Sequence, residues 1–204
     1  MSKARRRAPQ KRAGDVVYVC VEGETELGYL EDVRRRLRLP RGRLVVERAK
    51  GTSFANVKKT VEKKCPSSVL CESGVRVDAR WCVADTELDG SWRGVATRPA
   101  PGEARSGSMR WALSSASFER WLLLHFEPWP PALDAAGLVS RLGRHLAGYS
   151  DRCKRLSAAQ LDELWARREV ALGNAAAARG RALDDDDAFT DVDLLVAELL
   201  AMGS

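Results

Sequence analysis

Residues 16–26 read VVYVCVEGETE, a run of apolar residues that ends in three glutamates. A continuous apolar run of this length predicts a strand buried on both faces, as in the middle of a parallel sheet. Gly23 allows a tight turn after the strand, and Thr25 is a candidate cap for the helix that follows. Leucine and valine then recur at helical spacing from Glu26 to Leu39, and Pro40 ends the pattern. The stretch therefore predicts a strand, an acidic turn and a helix.

Strands and helices alternate through the next hundred residues. Short apolar runs at 44–46, 79–84 and 109–113 predict three further strands, with a helix at 53–64. Such alternation is typical of βαβ units, which build parallel sheets with right-handed crossovers. A buried helix is expected at 118–126, with Ser117 as its cap, because that segment is apolar almost all round. We expect an α/β fold with a parallel sheet of about four strands flanked by helices.

The predicted domain organisation has three parts. Residues 1–14 form a basic arm, residues 15–130 form the α/β domain, and residues 131–204, which are helical in composition, form an α-helical extension packed on it. The net charge of +6 lies in the arm, because six of the 34 basic residues precede Asp15 and the remaining 28 balance 28 acidic residues. The arm is open to two interpretations, a contact to phosphate backbones or a disordered solubilising tail.

Several protein classes are disfavoured by the sequence. No stretch approaches the roughly 20 apolar residues of a membrane span, and the first residues lack the apolar segment of a signal peptide, so we expect a cytoplasmic protein. The five cysteines are odd in number and include no Cys-x-x-Cys pair, which argues against a disulfide framework and against a zinc knuckle.

A second acidic cluster follows the predicted strand 79–84. Asp85, Glu87 and Asp89 stand there in the same relation to their strand as Glu22 to the first one. Because the carboxyl ends of parallel strands share one edge of a sheet, the two clusters should meet where ligands bind in this architecture. Converging carboxylates favour Mg²⁺ (or Mn²⁺), which could assist phosphodiester hydrolysis. Glu24 and Glu26 are interpreted as acids placed favourably at a helix N-terminus.

Three stretches together resemble the RloB-like family, small proteins associated with bacterial restriction loci and abortive phage defence. They are residues 19–26, 83–89 and 114–127, of which the last, SSASFERWLLLHFE, is the most specific. The family looks like a variant of the Toprim domain, the Mg²⁺-binding fold of topoisomerases, primases and related nucleases. By this resemblance Glu22 corresponds to the Toprim glutamate and Asp85 to the first aspartate of its Asp-x-Asp pair. Glu87 stands where the second aspartate is usual, with Asp89 as a nearby substitute.

The resemblance implies a Mg²⁺-dependent nuclease, or a nuclease-like component of a phage-defence system, acting on DNA or RNA beside a possible ATPase partner. Glu22, Asp85, Glu87 and Asp89 are the predicted metal ligands, and Glu22, Asp85 and Glu119 the predicted catalytic residues. For Glu119 a favourable place in the first turn of a helix is the alternative. The Gly/Pro/Arg-rich stretch 90–108 is either a lid or substrate-contacting loop, or a long connection without a functional role. The alternative function is a non-catalytic nucleic-acid-binding or adaptor protein with a degenerate Toprim site.

Overall fold

The computed structural model describes most of the chain. The described residues are 15–51, 53–66, 69–70, 73–86, 91–94, 109–181 and 188–203. The predicted basic arm, Glu87, Asp89 and most of the stretch 90–108 lie outside them.

The sheet has four parallel strands in the order β2-β1-β3-β4, as the sequence predicted. The first strand lies between the second and the third, which agrees with its continuous apolar pattern. The strand bounds are β1 Val17–Val21, β2 Leu44–Arg48, β3 Ala79–Asp85 and β4 Met109–Ser114.

Seven helices accompany the strands in the described part of the chain. Two of them connect the first three strands, and four follow residue 131. Their bounds are α1 Glu24–Arg36, α2 Phe54–Lys64, α3 Glu119–Leu123, α4 Ala135–Leu142, α5 Ala158–Ala166, α6 Arg168–Arg181 and α7 Val192–Gly203.

Two predicted helix caps were wrong. The N-cap of α1 is Gly23 rather than Thr25, and the Thr25 hydroxyl instead donates to the carbonyl of Lys154 at 2.9 Å. The N-cap of α3 is Phe118, and the Ser117 hydroxyl donates to the Glu119 carboxylate. In both cases the hydroxyl donates to another acceptor, distant in sequence for Thr25 and two residues away for Ser117, and does not accept from a backbone N–H as a cap would.

Alternate residues of β1 supply two hydrophobic cores on opposite faces of the sheet. Val17, Val19 and Val21 belong to one core, with residues of α1, α3 and α4 to α7. Tyr18 and Cys20 belong to the other, which α2 covers. The first core joins the sheet to the helices after residue 131. No helix in the described ranges has the length and apolar character needed to cross a membrane.

Candidate metal-binding active site

The sheet brings Glu22 and Asp85 to the ends of neighbouring strands. Val21 at the end of β1 is paired with Val83 of β3, so Glu22 follows directly where Asp85 closes the adjacent strand. The chain passes from β1 outward to β2 and then returns to the other side of β1 as β3. This reversal of strand order creates a crevice beyond the carboxyl edge, the usual ligand site of open α/β sheets. The register of β1 and β3 is therefore consistent with the prediction that Glu22 and Asp85 lie close together.

Glu119 reaches the same edge from the third strand end. Asp85 is level with Ser114 of β4, and Glu119 begins α3 five residues later. Its side chain is only 3% exposed, and it accepts hydrogen bonds from Ser117 at 2.5 Å and from Tyr149 at 2.8 Å. A carboxylate buried this deeply and held by two hydroxyl groups is more than a surface acid in the first turn of a helix.

The electrostatics of Asp85 show that four carboxylates lie near one another. Burial raises the pKa of Asp85 well above its usual value, and the charges of Glu26, Glu119 and Glu22 raise this pKa further. The backbone N–H of Phe118 donates to Asp85 and opposes the shift. We call these four residues, Glu22, Glu26, Asp85 and Glu119, the carboxylate cluster.

Glu26 belongs to the carboxylate cluster, although the sequence analysis interpreted it only as an acid placed favourably at a helix N-terminus. Its carboxylate does accept backbone hydrogen bonds from Gly23 and from its own N–H, as a residue in the first turn would. It is also only 4% exposed, and burial together with the charges of Glu119 and Glu22 raises its pKa to about 7. Glu24, by contrast, is exposed and forms an ion pair with Arg48.

The helical half of the chain supplies polar side chains to this edge. Tyr149 binds Glu119, and burial and the Glu119 charge raise the pKa of the Tyr149 hydroxyl. The Lys154 ammonium lies 3.7 Å from Glu119 Oε1, and the Lys154 carbonyl accepts the hydrogen bond from Thr25. Tyr149 and Lys154 were missed at the sequence level, because nothing in the pattern of residues 131–204 ties one position to a strand end some 30 residues earlier.

The donor set fits a hard divalent cation in its chemistry. Carboxylate oxygens are the ligands Mg²⁺ prefers, and no arginine or lysine in the described ranges forms an ion pair with Asp85. Within those ranges no three histidine, cysteine, aspartate or glutamate side chains stand as a group that could hold a metal ion. Binding would therefore require these carboxylates to draw closer together. Glu87 and Asp89, the other two predicted ligands, lie outside the described residues.

His125 lies in the core, as its place on an apolar helix predicted. Its imidazole is fully buried and hydrogen-bonds through Nδ1 to the carbonyls of Trp121 and Leu122. Two tryptophans, Trp92 inside the stretch 90–108 and Trp111 just after it, are also buried: Trp92 packs against Phe189, and Trp111 stacks on Phe54. Neither indole is therefore presented for base stacking.

A family model described as RloB-like protein matches residues 17–199. The chain belongs to the RloB-like family. The match continues beyond residue 130 through the helical half of the chain, which includes Tyr149 and Lys154. No curated protein and no solved structure has significant similarity to the chain.

Proposed function

We propose that this RloB-like protein is a divalent-metal-dependent phosphodiesterase that acts on nucleic acid, with a variant Toprim site at the carboxyl edge of its sheet. The observation that carries the proposal is the carboxylate cluster, in which acids from the ends of three adjacent strands interact. Burial and mutual repulsion oppose the ionised form of Asp85. A divalent cation would remove both costs, because it supplies the missing positive charge.

Glu22 and Asp85 are the residues proposed to hold the cation, with Glu26 beside them. Glu22 is partly exposed at the mouth of the crevice, where a phosphate could approach. A bound Mg²⁺ or Mn²⁺ would supply Lewis-acid polarisation of a phosphoryl oxygen and neutralise charge on the leaving oxygen. Glu87 and Asp89 remain proposed ligands, as the family resemblance implies.

Glu119 is proposed to act from a fixed position. Ser117 and Tyr149 each donate a hydrogen bond to a different oxygen of its carboxylate, so its orientation is set before any ligand arrives. Lys154 is about 43% exposed and offers its ammonium at the edge of the same site. An ammonium in that place suits an oxygen of the scissile phosphate.

The test is cleavage of single-stranded DNA, duplex DNA and tRNA in the presence of Mg²⁺ or Mn²⁺. We expect the wild type to cleave at least one substrate, and Glu22→Gln/Asp85→Asn to lose at least about a hundredfold in rate, since removing one stabilising group at an active site typically costs 10²–10³. Asp15→Asn/Glu169→Gln is the matched control, because it also converts one aspartate and one glutamate to amides, at exposed positions outside the site. Equal cleavage by all three proteins would identify a contaminating nuclease and refute the proposal.

One observation favours a second candidate function. As the side chains stand, the described residues contain no group of three acidic, histidine or cysteine side chains ready to hold a metal. A non-catalytic nucleic-acid-binding or adaptor protein that kept the fold would have acids at this edge of the sheet that do not hold a metal ion. It would bind oligonucleotides equally well with EDTA and with Mg²⁺, and would cleave none of them.

A role in phage defence is proposed from the family resemblance. We expect cells that carry the gene with its neighbouring genes, among which an ATPase is the proposed partner, to restrict phage plating. Glu22→Gln/Asp85→Asn should abolish the restriction, whereas Asp15→Asn/Glu169→Gln should retain it. Restriction that survives in the first variant would separate defence from hydrolysis.

A further inference from the structure

A groove of about 680 Å³ runs between α1 and residues 155–161. Glu24 lines one end of it, two residues after Glu22, and Arg38 and Leu39 line the other. The side opposite α1 begins with Arg155, which directly follows Lys154 of the candidate site. Since α1 has 13 residues at about 1.5 Å each, the groove extends some 20 Å away from the carboxylate cluster.

The acidic residues that line the groove are all neutralised by arginine. Each of the three has its partner on α1 itself or at the end of β2. Glu31 pairs with Arg34 at 2.6 Å, Asp32 pairs with Arg35 and Arg36, and Glu24 pairs with Arg48. The lining therefore presents no uncompensated negative charge to a ligand.

Two positive charges in the groove have no such compensation. Arg38 and Arg155 are both exposed, and neither guanidinium forms an ion pair with a carboxylate of the described residues. Arg38 also has a positive φ of 53°, a backbone conformation that glycine adopts far more readily than arginine. The backbone at this position therefore suits glycine, whereas the residue present carries a guanidinium.

We propose that this groove binds the phosphate backbone of the nucleic-acid substrate and leads it to the carboxylate cluster, an inference that rests on the proposed function. Guanidinium groups match phosphate oxygens in geometry and keep their charge at every physiological pH. No aromatic side chain lines the groove among the described residues, so the contacts fall on phosphates rather than on bases. Binding in the groove should therefore be independent of sequence. The direct continuation from Glu24 and Lys154 into the groove favours nucleic acid over an acidic peptide.

The test is fluorescence anisotropy of the full-length protein with labelled single-stranded and duplex oligonucleotides in EDTA, so that no metal is bound. The variant is Arg38→Gly/Arg155→Gln. Glycine at position 38 removes the cation at a site whose backbone suits it, so the variant should fold, and thermal melting checks this. The matched control, Arg76→Gln/Arg144→Gln, removes two exposed arginines outside the groove.

We expect the groove variant to bind more weakly, with a single-strand salt dependence, log Kobs against log salt, that is shallower by about 1.4, or about 0.7 for each lost phosphate contact. The control should keep the wild-type slope. A groove variant with the wild-type slope, a control that loses as much, or polyglutamate that competes better than an oligonucleotide would each overturn the inference.

The two proposals fail differently. If Glu22→Gln/Asp85→Asn abolishes cleavage while the groove variant cleaves with unchanged KM, the groove inference is wrong and the hydrolytic function stands. If no substrate is cleaved by any protein but the groove variant still loses affinity, the groove binds nucleic acid and the hydrolytic function is wrong.

Discussion

The hydroxyl of Tyr149 donates a 2.8 Å hydrogen bond to the carboxylate of Glu119, and both side chains are buried. The two residues lie 30 positions apart, one at the start of α3 and the other between α4 and α5. This bond fixes an acid of the carboxylate cluster from the helical half of the chain. The segment between α4 and α5 is thus part of the candidate site, and the role of the helical half is more than to cover the sheet.

Tyr149→Phe should lower the free energy of unfolding by about 1–3 kcal/mol, because it leaves a buried carboxylate oxygen without its hydroxyl donor. Urea unfolding measures the change. In a double-mutant cycle with Glu119→Gln, the two substitutions should be non-additive by at least about 0.5 kcal/mol, since the residues share one contact. A Tyr149→Phe protein as stable as the wild type, or strict additivity in the cycle, would contradict this account.

Metal binding should appear as thermal stabilisation. At about a hundredfold excess over its dissociation constant, Mg²⁺ or Mn²⁺ adds about 2.7 kcal/mol to a protein that binds it only when folded. For a chain of this size that corresponds to a rise in Tm of roughly 5–10 °C. The wild type and Asp15→Asn/Glu169→Gln should show the rise in differential scanning fluorimetry, and Glu22→Gln/Asp85→Asn should not. A rise of the same size in all three proteins would place the metal outside the carboxylate cluster.

The strands and the first helix were predictable because their signals are local. The apolar run before Glu22 marks a doubly buried strand, and the same pattern before Asp85 marks its neighbour. Adjacent parallel strands then bring the two acids to one edge. The places of Glu26 and Tyr149 were not predictable in this way. Whether an acid in a first turn faces solvent or other carboxylates depends on how α3 and the segment after α4 pack, and that packing leaves no periodic trace in the sequence.

The last helix should contribute stability through Glu198. Its carboxylate accepts a hydrogen bond from the Trp81 indole at 3.2 Å and forms an ion pair with Arg110 at 2.6 Å, which ties α7 to β3 and β4. Arg110 is only 14% exposed and also lies over the Trp81 ring. Glu198→Ala leaves this guanidinium without its acid, so we expect a loss of about 2–3 kcal/mol in unfolding free energy.

Glu169→Ala is the control for Glu198→Ala, because Glu169 is an exposed helical glutamate whose nearest cation, Arg168, is its sequence neighbour. Its unfolding free energy should stay within about 0.5 kcal/mol of the wild type. Equal effects of the two substitutions in urea unfolding would show that α7 does not depend on the Glu198 contacts.

His125 should make the protein less stable in mild acid. Burial lowers the pKa of its imidazole to about 4, whereas an unfolded histidine titrates near 6.5. The unfolded chain therefore takes up the proton first as the pH falls. The stabilisation is fully present above about pH 6.5 and is lost progressively toward pH 4, by up to about 3 kcal/mol. Urea unfolding at pH 7.5, 6, 5 and 4.5 follows the loss.

His125→Gln removes the titrating group, so its unfolding free energy should fall less steeply between pH 6.5 and 4.5. The slope of unfolding free energy against pH should decrease by up to the equivalent of one bound proton. Glutamine is uncharged at every pH used, so the difference in slope isolates the imidazole from the carboxylates, which titrate in both proteins. His145→Gln is the matched control, because His145 is partly exposed and its imidazole pairs with the Glu127 carboxylate. The slope that His125→Gln loses should remain in His145→Gln, and a His125→Gln protein with the wild-type slope would show that burial of this imidazole is not linked to stability in acid.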